Sequence, residues 1–131
     1  AVVPAQAPSL SRPRVLVVDD EPMVLRSLAL ALEDCEVLTA GGASAARVLI
    51  ADDPRFDAVV CDLMMPGESG GDLFAWFEQH HPELARRTIF VIGGAFMPRA
   101  QELVATVTNT VLEKPFDLSR LRSLIGNLAH S

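Results

Sequence analysis

The sequence predicts an α/β fold, a parallel sheet with helices packed on both sides, on three observations. From Arg14 onward, short apolar runs of strand length alternate with segments of helical periodicity. The first run is continuously apolar rather than alternating, as a strand covered on both faces requires. Gly and Pro clusters punctuate the segments where turns are needed. Five strands alternating with five helices give a sheet of parallel strands joined by right-handed crossovers.

The elements follow in order. Residues 1–13 (AVVPAQAPSLSRP) carry three prolines among small residues and no apolar period, an extended linker composition; residues 14–131 are expected to form the domain. Val15–Val18 is the first strand, and Pro22 suits the first turn of the helix that carries Val24, Leu25, Leu28 and Leu32. Cys35–Ala40 is a second strand, broken by Gly41-Gly42 before the Ala-rich helix Ala43–Ala51. Asp57–Cys61 is a third strand, followed by a loop with Pro66, Gly67 and Gly70-Gly71 and a helix carrying Leu73, Trp76 and Phe77. Ile89–Ile92 is a fourth strand ending in the tight turn Gly93-Gly94. Pro98–Thr106 is a weak helix, and Thr110–Leu112 is a fifth strand. In the last helix Asp117 is the cap, Phe116 and Leu121 have the spacing of a hydrophobic staple, and Leu118, Leu121, Ile125 and Leu128 share a face.

Composition excludes several function classes. A chain of 131 residues that is half apolar forms one ordinary domain rather than a disordered segment. A net charge of −6 argues against direct nucleic-acid binding, which calls for a basic face. No apolar run is long enough for membrane insertion, and no charged-then-apolar leader is present, so a cytoplasmic location is expected. Cys35 and Cys61 make no disulfide framework and read as small buried hydrophobes in a reducing compartment.

Ligands of parallel α/β sheets bind beyond the carboxyl ends of the strands, where strand order reverses. Strand one ends in Asp19-Asp20, strand three runs to Asp62, and strand five runs into Lys114-Pro115. Each of these residues taken singly is an ordinary cap or surface charge, and acids ahead of Pro22 suit a helix N-terminus. Their coincidence at one sheet edge points to chemistry. Two carboxylates about 4 Å apart repel by roughly 4 kcal/mol at an effective dielectric of 20. Three carboxylates and one ammonium leave two negative charges, which one divalent cation cancels. An all-oxygen set of that charge suits Mg²⁺.

Three segments, VLVVDDEP (Val15–Pro22), VVCDLMMPGESGGDL (Val59–Leu73) and LEKPFDL (Leu112–Leu118), resemble the signature segments of response-regulator receiver domains of the CheY-like superfamily. The spacings fit too, 42 positions from Asp20 to Asp62 and 52 from Asp62 to Lys114. The resemblance implies a flavodoxin-like doubly wound (βα)5 fold with strand order 2-1-3-4-5. It implies that Asp62 is the phosphoacceptor. Asp19 and Asp20 then position Mg²⁺, Asp20 directly and Asp19 mainly through water, and Met64 lends its main-chain carbonyl. Lys114 is expected to pair first with Asp62 and then with the phosphoryl oxygens, across a Lys114–Pro115 bond that is often cis in this family. The implied partner is a histidine kinase or phosphotransfer domain, with homodimerisation through the face of helix 98–106, strand five and the last helix. The Pro/Ala-rich lead-in and the stop after the last helix point to the C-terminal receiver of a hybrid sensor histidine kinase.

Two positions depart from the pattern. The family ends strand four with Thr or Ser, and this chain has Ile92; Thr88 is no substitute, lying about 13 Å away at the other end of the strand. Three residues before Lys114, where many receivers carry an aromatic, stands Val111. Phosphorylation does not chemically require either group, so it is expected to survive while signal output becomes atypical. The competing reading is a pseudo-receiver, a protein-binding module indifferent to phosphate. An aspartate-nucleophile phosphatase is disfavoured because Asp20 is followed by Glu21-Pro22 rather than completing a D-x-D. His80 and His81 have no phosphodonor context, and Trp76 reads as helix packing.

Overall fold

The computed structural model describes residues 12–93 and 108–130. The predicted helix Pro98–Thr106, Gly94 and most of the predicted linker lie outside these residues. The described chain runs β1 (Arg14–Val18), α1 (Pro22–Ala31), β2 (Glu36–Ala40), α2 (Ala43–Asp52), β3 (Ala58–Asp62), α3 (Gly70–His80), α4 (Pro82–Arg86), β4 (Thr88–Ile92), β5 (Val111–Glu113) and α5 (Leu118–Ala129).

All strands are parallel, in the order β2-β1-β3-β4-β5. β1 pairs with β2 from Arg14–Glu36 to Val18–Ala40 and with β3 from Val15–Ala58 to Val18–Cys61. β3 pairs with β4 up to Asp62–Val91, and β4 with β5 up to Ile92–Glu113. The chain moves outward from β1 to β2 and then returns to the other side for β3. The switch point therefore falls between β1 and β3, between Asp19 and Asp62.

Alternation along each strand divides the core in two. Leu16, Val18, Val59, Cys61, Phe90 and Ile92 face one side, against Ala46 and Ile50 of α2, Leu73 and Phe77 of α3, and Leu84 of α4. Val15, Val17, Val60, Ile89, Val91 and Leu112 face the other, against Leu28 of α1 and Leu121 and Ile125 of α5. Cys35 and Cys61 are free and buried, as packing residues are. Among the described residues no helix is long and apolar enough to cross a membrane.

Several boundaries differ from the sequence reading for identifiable reasons. Asp57 precedes β3 rather than opening it, because its carboxylate accepts the Arg14 N–H at 2.8 Å. Cys35 lies in the turn before β2, donating its N–H to the Leu32 carbonyl. β5 is shifted by one residue, since the Thr110 carbonyl accepts from Phe90 N–H ahead of the strand. Gly70 and Gly71, expected in a loop, form the first turn of α3 behind the capping box of Ser69 and Asp72. Pro82 starts a separate short helix rather than merely ending α3. Leu118 is 37% exposed, whereas Leu121 and Ile125 of the same helix are buried.

Candidate functional site

Backbone hydrogen bonds of the sheet hold the strand ends in place. Asp19 N–H donates to the Ala40 carbonyl (3.1 Å), Leu63 N–H to Val91 (2.9 Å) and Lys114 N–H to Ile92 (2.7 Å). Residues flanking the site are thereby locked into the sheet even where the strands end. The Lys114–Pro115 peptide is cis, as the resemblance implied.

Asp19, Asp20 and Asp62 each offer a carboxylate oxygen, and these oxygens lie within 4.8 Å of one another. Asp19 and Asp62 are buried, whereas Asp20 is exposed. Each buried acid is anchored by one oxygen. Asp19 Oδ1 accepts the Glu21 N–H at 2.9 Å, and Asp62 Oδ1 accepts the Met64 N–H at 3.0 Å. Their other oxygens meet Lys114, whose Nζ is 2.9 Å from Asp19 Oδ2 and 3.4 Å from Asp62 Oδ2. A third carboxylate, Glu21 Oε1, is 3.3 Å from the same nitrogen. The sequence reading expected Lys114 to pair first with Asp62; the ammonium lies nearer to Asp19.

Burial pushes the Asp62 carboxyl up to about 6. The Met64 N–H and Lys114 oppose this, and the Asp19 charge adds to it. For Lys114 burial disfavours the charge, but the hydrogen bond to Asp19 and the Asp62 and Asp19 charges outweigh it and raise its pKa. The Cys61 thiol is pushed up by burial first and then by its acidic neighbours, which makes it inert.

The donor set fits the ion that sequence reasoning called for. Mg²⁺ takes oxygen ligands at about 2.0–2.1 Å, so donors on one ion stand at most about 4.2 Å apart, close to the spread of these carboxylate oxygens. The anchored conformation of Asp62 leaves Oδ2 turned toward the cluster while Oδ1 is held by the loop that contains Met64.

The two positions of departure lie on β4 and β5, in the apolar core on one side of the sheet. Ile92 is buried in the core with Phe90, and Val111 packs against the same cluster from β5. Thr88 Oγ1 donates to the Leu84 carbonyl at 2.8 Å, at the far end of β4.

Sequence reasoning missed two site residues, Gly70 and Glu21, and an ion pair elsewhere, Arg47–Glu68. Gly70 packs so closely behind the site that a Cβ there would lie 2.3 Å from the Asp62 carbonyl oxygen. Its signal was the S-x-x-D capping pattern starting at Ser69, which places Gly70 in a helix. Glu21 had a signal only as an acid ahead of a proline. Arg47 and Glu68, which form an ion pair between α2 and the loop after β3, had none. Arg47 also lies over the Trp76 ring, which packs on the core as expected.

Residues 15–126 match the family model of the response regulator receiver domain. Response regulator protein PilR of Pseudomonas aeruginosa is 34% identical over 119 residues, 89% of this chain and 26% of that protein. Transcriptional regulatory protein FixJ of Azorhizobium caulinodans is 32% identical over 120 residues, 88% of this chain and 56% of that protein. A response regulator receiver protein from Pseudomonas putida superimposes with a TM-score of 0.76 at 30% identity, covering 89% of this chain and 98% of that one. A receiver domain protein from Clostridium thermocellum gives a TM-score of 0.77 at 26% identity, covering 90% and 94%. The chain spans between about a quarter and just over half of the two curated relatives. Since the family match takes in the sheet from Val15 onward together with the strand ends that gather the acids, the chain belongs to the receiver domains of two-component response regulators.

Proposed function

We propose that this domain accepts a phosphoryl group from the phosphohistidine of a histidine kinase or phosphotransfer domain onto Asp62. The observation that carries the reading is the convergence of Asp19, Asp20 and Asp62 at the switch point of the sheet, two of them in contact with Lys114. Phosphoryl transfer needs little covalent chemistry from a protein and much alignment and charge neutralisation. Asp62 supplies the nucleophilic oxygen. A bond forms from that oxygen to phosphorus, the phosphorus–nitrogen bond breaks, and the imidazole leaves with the electron pair and takes a proton from solvent. The Met64 N–H fixes one Asp62 oxygen and so orients the other. Lys114 supplies N–H donors to the phosphoryl oxygens. Asp19, Asp20, Asp62 and the main-chain carbonyl of Met64 would hold Mg²⁺, whose role is to neutralise the charge of the transferred group.

An apolar groove borders the site, lined by Met23, Val24, Leu28, Phe116 and Leu118 next to Lys114. A phosphohistidine-bearing helix approaching Asp62 would pass over it. Two parents fit such a module: a transcriptional regulator, as the names of relatives have it, and a hybrid sensor histidine kinase.

Output is proposed to be atypical, since Ile92 and Val111 offer neither a hydroxyl to follow the phosphoryl group nor an aromatic to fill behind it. Burial of Ile92 in the core also favours a second reading, a pseudo-receiver that binds a partner without phosphate. Incubation with acetyl phosphate and Mg²⁺ separates the two. Intact-mass and peptide analysis should show one base-labile, hydroxylamine-sensitive phosphoryl adduct on Asp62; its absence selects the binding module.

A further inference from the structure

An ammonium carries three N–H groups, and the three on Lys114 face three carboxylates, those of Asp19, Glu21 and Asp62. Two of these acids belong to the buried cluster. Glu21 does not: its side chain is 61% exposed. It stands at the N-cap position of α1, yet its carboxylate makes no capping hydrogen bond there. The backbone does that work, with the Glu21 carbonyl accepting from Val24 and Leu25 and its own N–H donating to Asp19 Oδ1.

We propose that Glu21 is a positioning residue that parks Lys114 in the resting site, occupying one of its three N–H groups until a phosphoryl group on Asp62 claims it. The inference rests on the phosphoacceptor reading. A phosphoryl group brings three anionic oxygens where the Asp62 carboxylate offered Lys114 one contact, and to meet more than one of them the lysine must release another acid. Glu21 is the cheapest to release, because water rehydrates an exposed carboxylate whereas Asp19 is buried. Release frees a charged side chain at the head of α1, beside the apolar groove.

The test is a calorimetric titration with beryllofluoride in the presence of Mg²⁺. Glu21→Gln should bind about two- to five-fold tighter than wild type, the range an exposed ion pair commands. The gain should vanish in a Lys114→Gln background. Simple repulsion between Glu21 and the anion would persist there, so a persisting gain overturns the proposal, as does an unchanged or weaker affinity of Glu21→Gln. Amide resonances of residues 21–25 should move on beryllofluoride binding in wild type and move less in Glu21→Gln; these shifts decide if Lys114→Gln binds too weakly to titrate, and their immobility in wild type overturns the proposal. If wild type binds no beryllofluoride at all, the phosphoacceptor reading falls and takes this inference with it. Binding by wild type with no effect of Glu21→Gln removes the inference alone.

Discussion

Lys114 Nζ lies 2.9 Å from Asp19 and 3.4 Å from Asp62, so the ammonium leans toward the acid that is not the proposed nucleophile. The arrangement follows from charge. Asp19 and Asp62 are both buried on adjacent strand ends, and one cation must serve both. Each acid has one oxygen held by a backbone N–H, Asp19 by Glu21 and Asp62 by Met64, and the free oxygens share the ammonium, with the shorter contact to Asp19.

Loss of the ammonium should be felt in transfer as well as in stability, because it leaves two buried carboxylates without their shared cation. Lys114→Gln is expected to slow phosphorylation of Asp62 by acetyl phosphate by about 10- to 100-fold, the value of a hydrogen bond to a charged group of about 1.5–3 kcal/mol. Time-resolved intact mass reads this directly, and an unchanged rate would remove Lys114 from the mechanism.

The metal-free domain should lose stability as pH rises from about 4 to about 6 through Asp62. Its pKa is raised from 3.8 to about 6 in the folded chain. Within that window the folded state holds the proton and the unfolded state does not, so deprotonation favours unfolding. The contribution is fully present below 3.8 and lost once pH passes the folded value. The whole effect is on the order of 2–3 kcal/mol. Urea melts in EDTA should show Asp62→Asn overtaking wild type in stability as pH increases, and Mg²⁺ should restore wild type alone.

Glycines flanking the proposed phosphoacceptor loop should respond differently to alanine. At Gly70 the new Cβ would meet the Asp62 carbonyl oxygen at 2.3 Å and the Leu63 Cα at 2.9 Å, both backbone atoms of the site. Overpacking of this kind costs about 1–3 kcal/mol, and here it also displaces Asp62. At Gly67 nothing stands within 4 Å, but φ is +79°, and the left-handed conformation costs about 1–2 kcal/mol. Both variants should melt earlier, while only Gly70→Ala should lose phosphorylation out of proportion to its stability.

Ile92→Thr tests the departure on β4. Ile92 is 2% exposed, so a hydroxyl there lacks a partner in the resting domain and should cost about 1–3 kcal/mol of stability. With beryllofluoride and Mg²⁺ bound, the hydroxyl gains a charged acceptor, and affinity should rise by about tenfold. A variant that loses stability without gaining affinity would mean that Ile92 Cβ does not face the phosphoryl position.

Much of the site was legible because it sits on strands. Apolar runs identify the strands, and a parallel sheet brings all their carboxyl ends to one edge, so Asp19, Asp20, Asp62 and Lys114 could be placed together from order alone. Glu21 could not. Its engagement depends on how the turn after β1 aims a side chain, which residue order does not state. Gly70 was hidden for a similar reason: a glycine pair reads as a loop until the capping box of Ser69 and Asp72 starts the helix ahead of it.

Periodicity, punctuation and strand-end chemistry by themselves determined the layered sheet, its two-sided core and the gathering of acids, because these depend on burial patterns repeated along the chain. Only the tertiary structure decided how the charges share their partners. The three-way contact of Lys114, its lean toward Asp19 and the raised pKa of Asp62 arise from distances of a few tenths of an ångström and from exclusion of water, and neither quantity is carried by residue order.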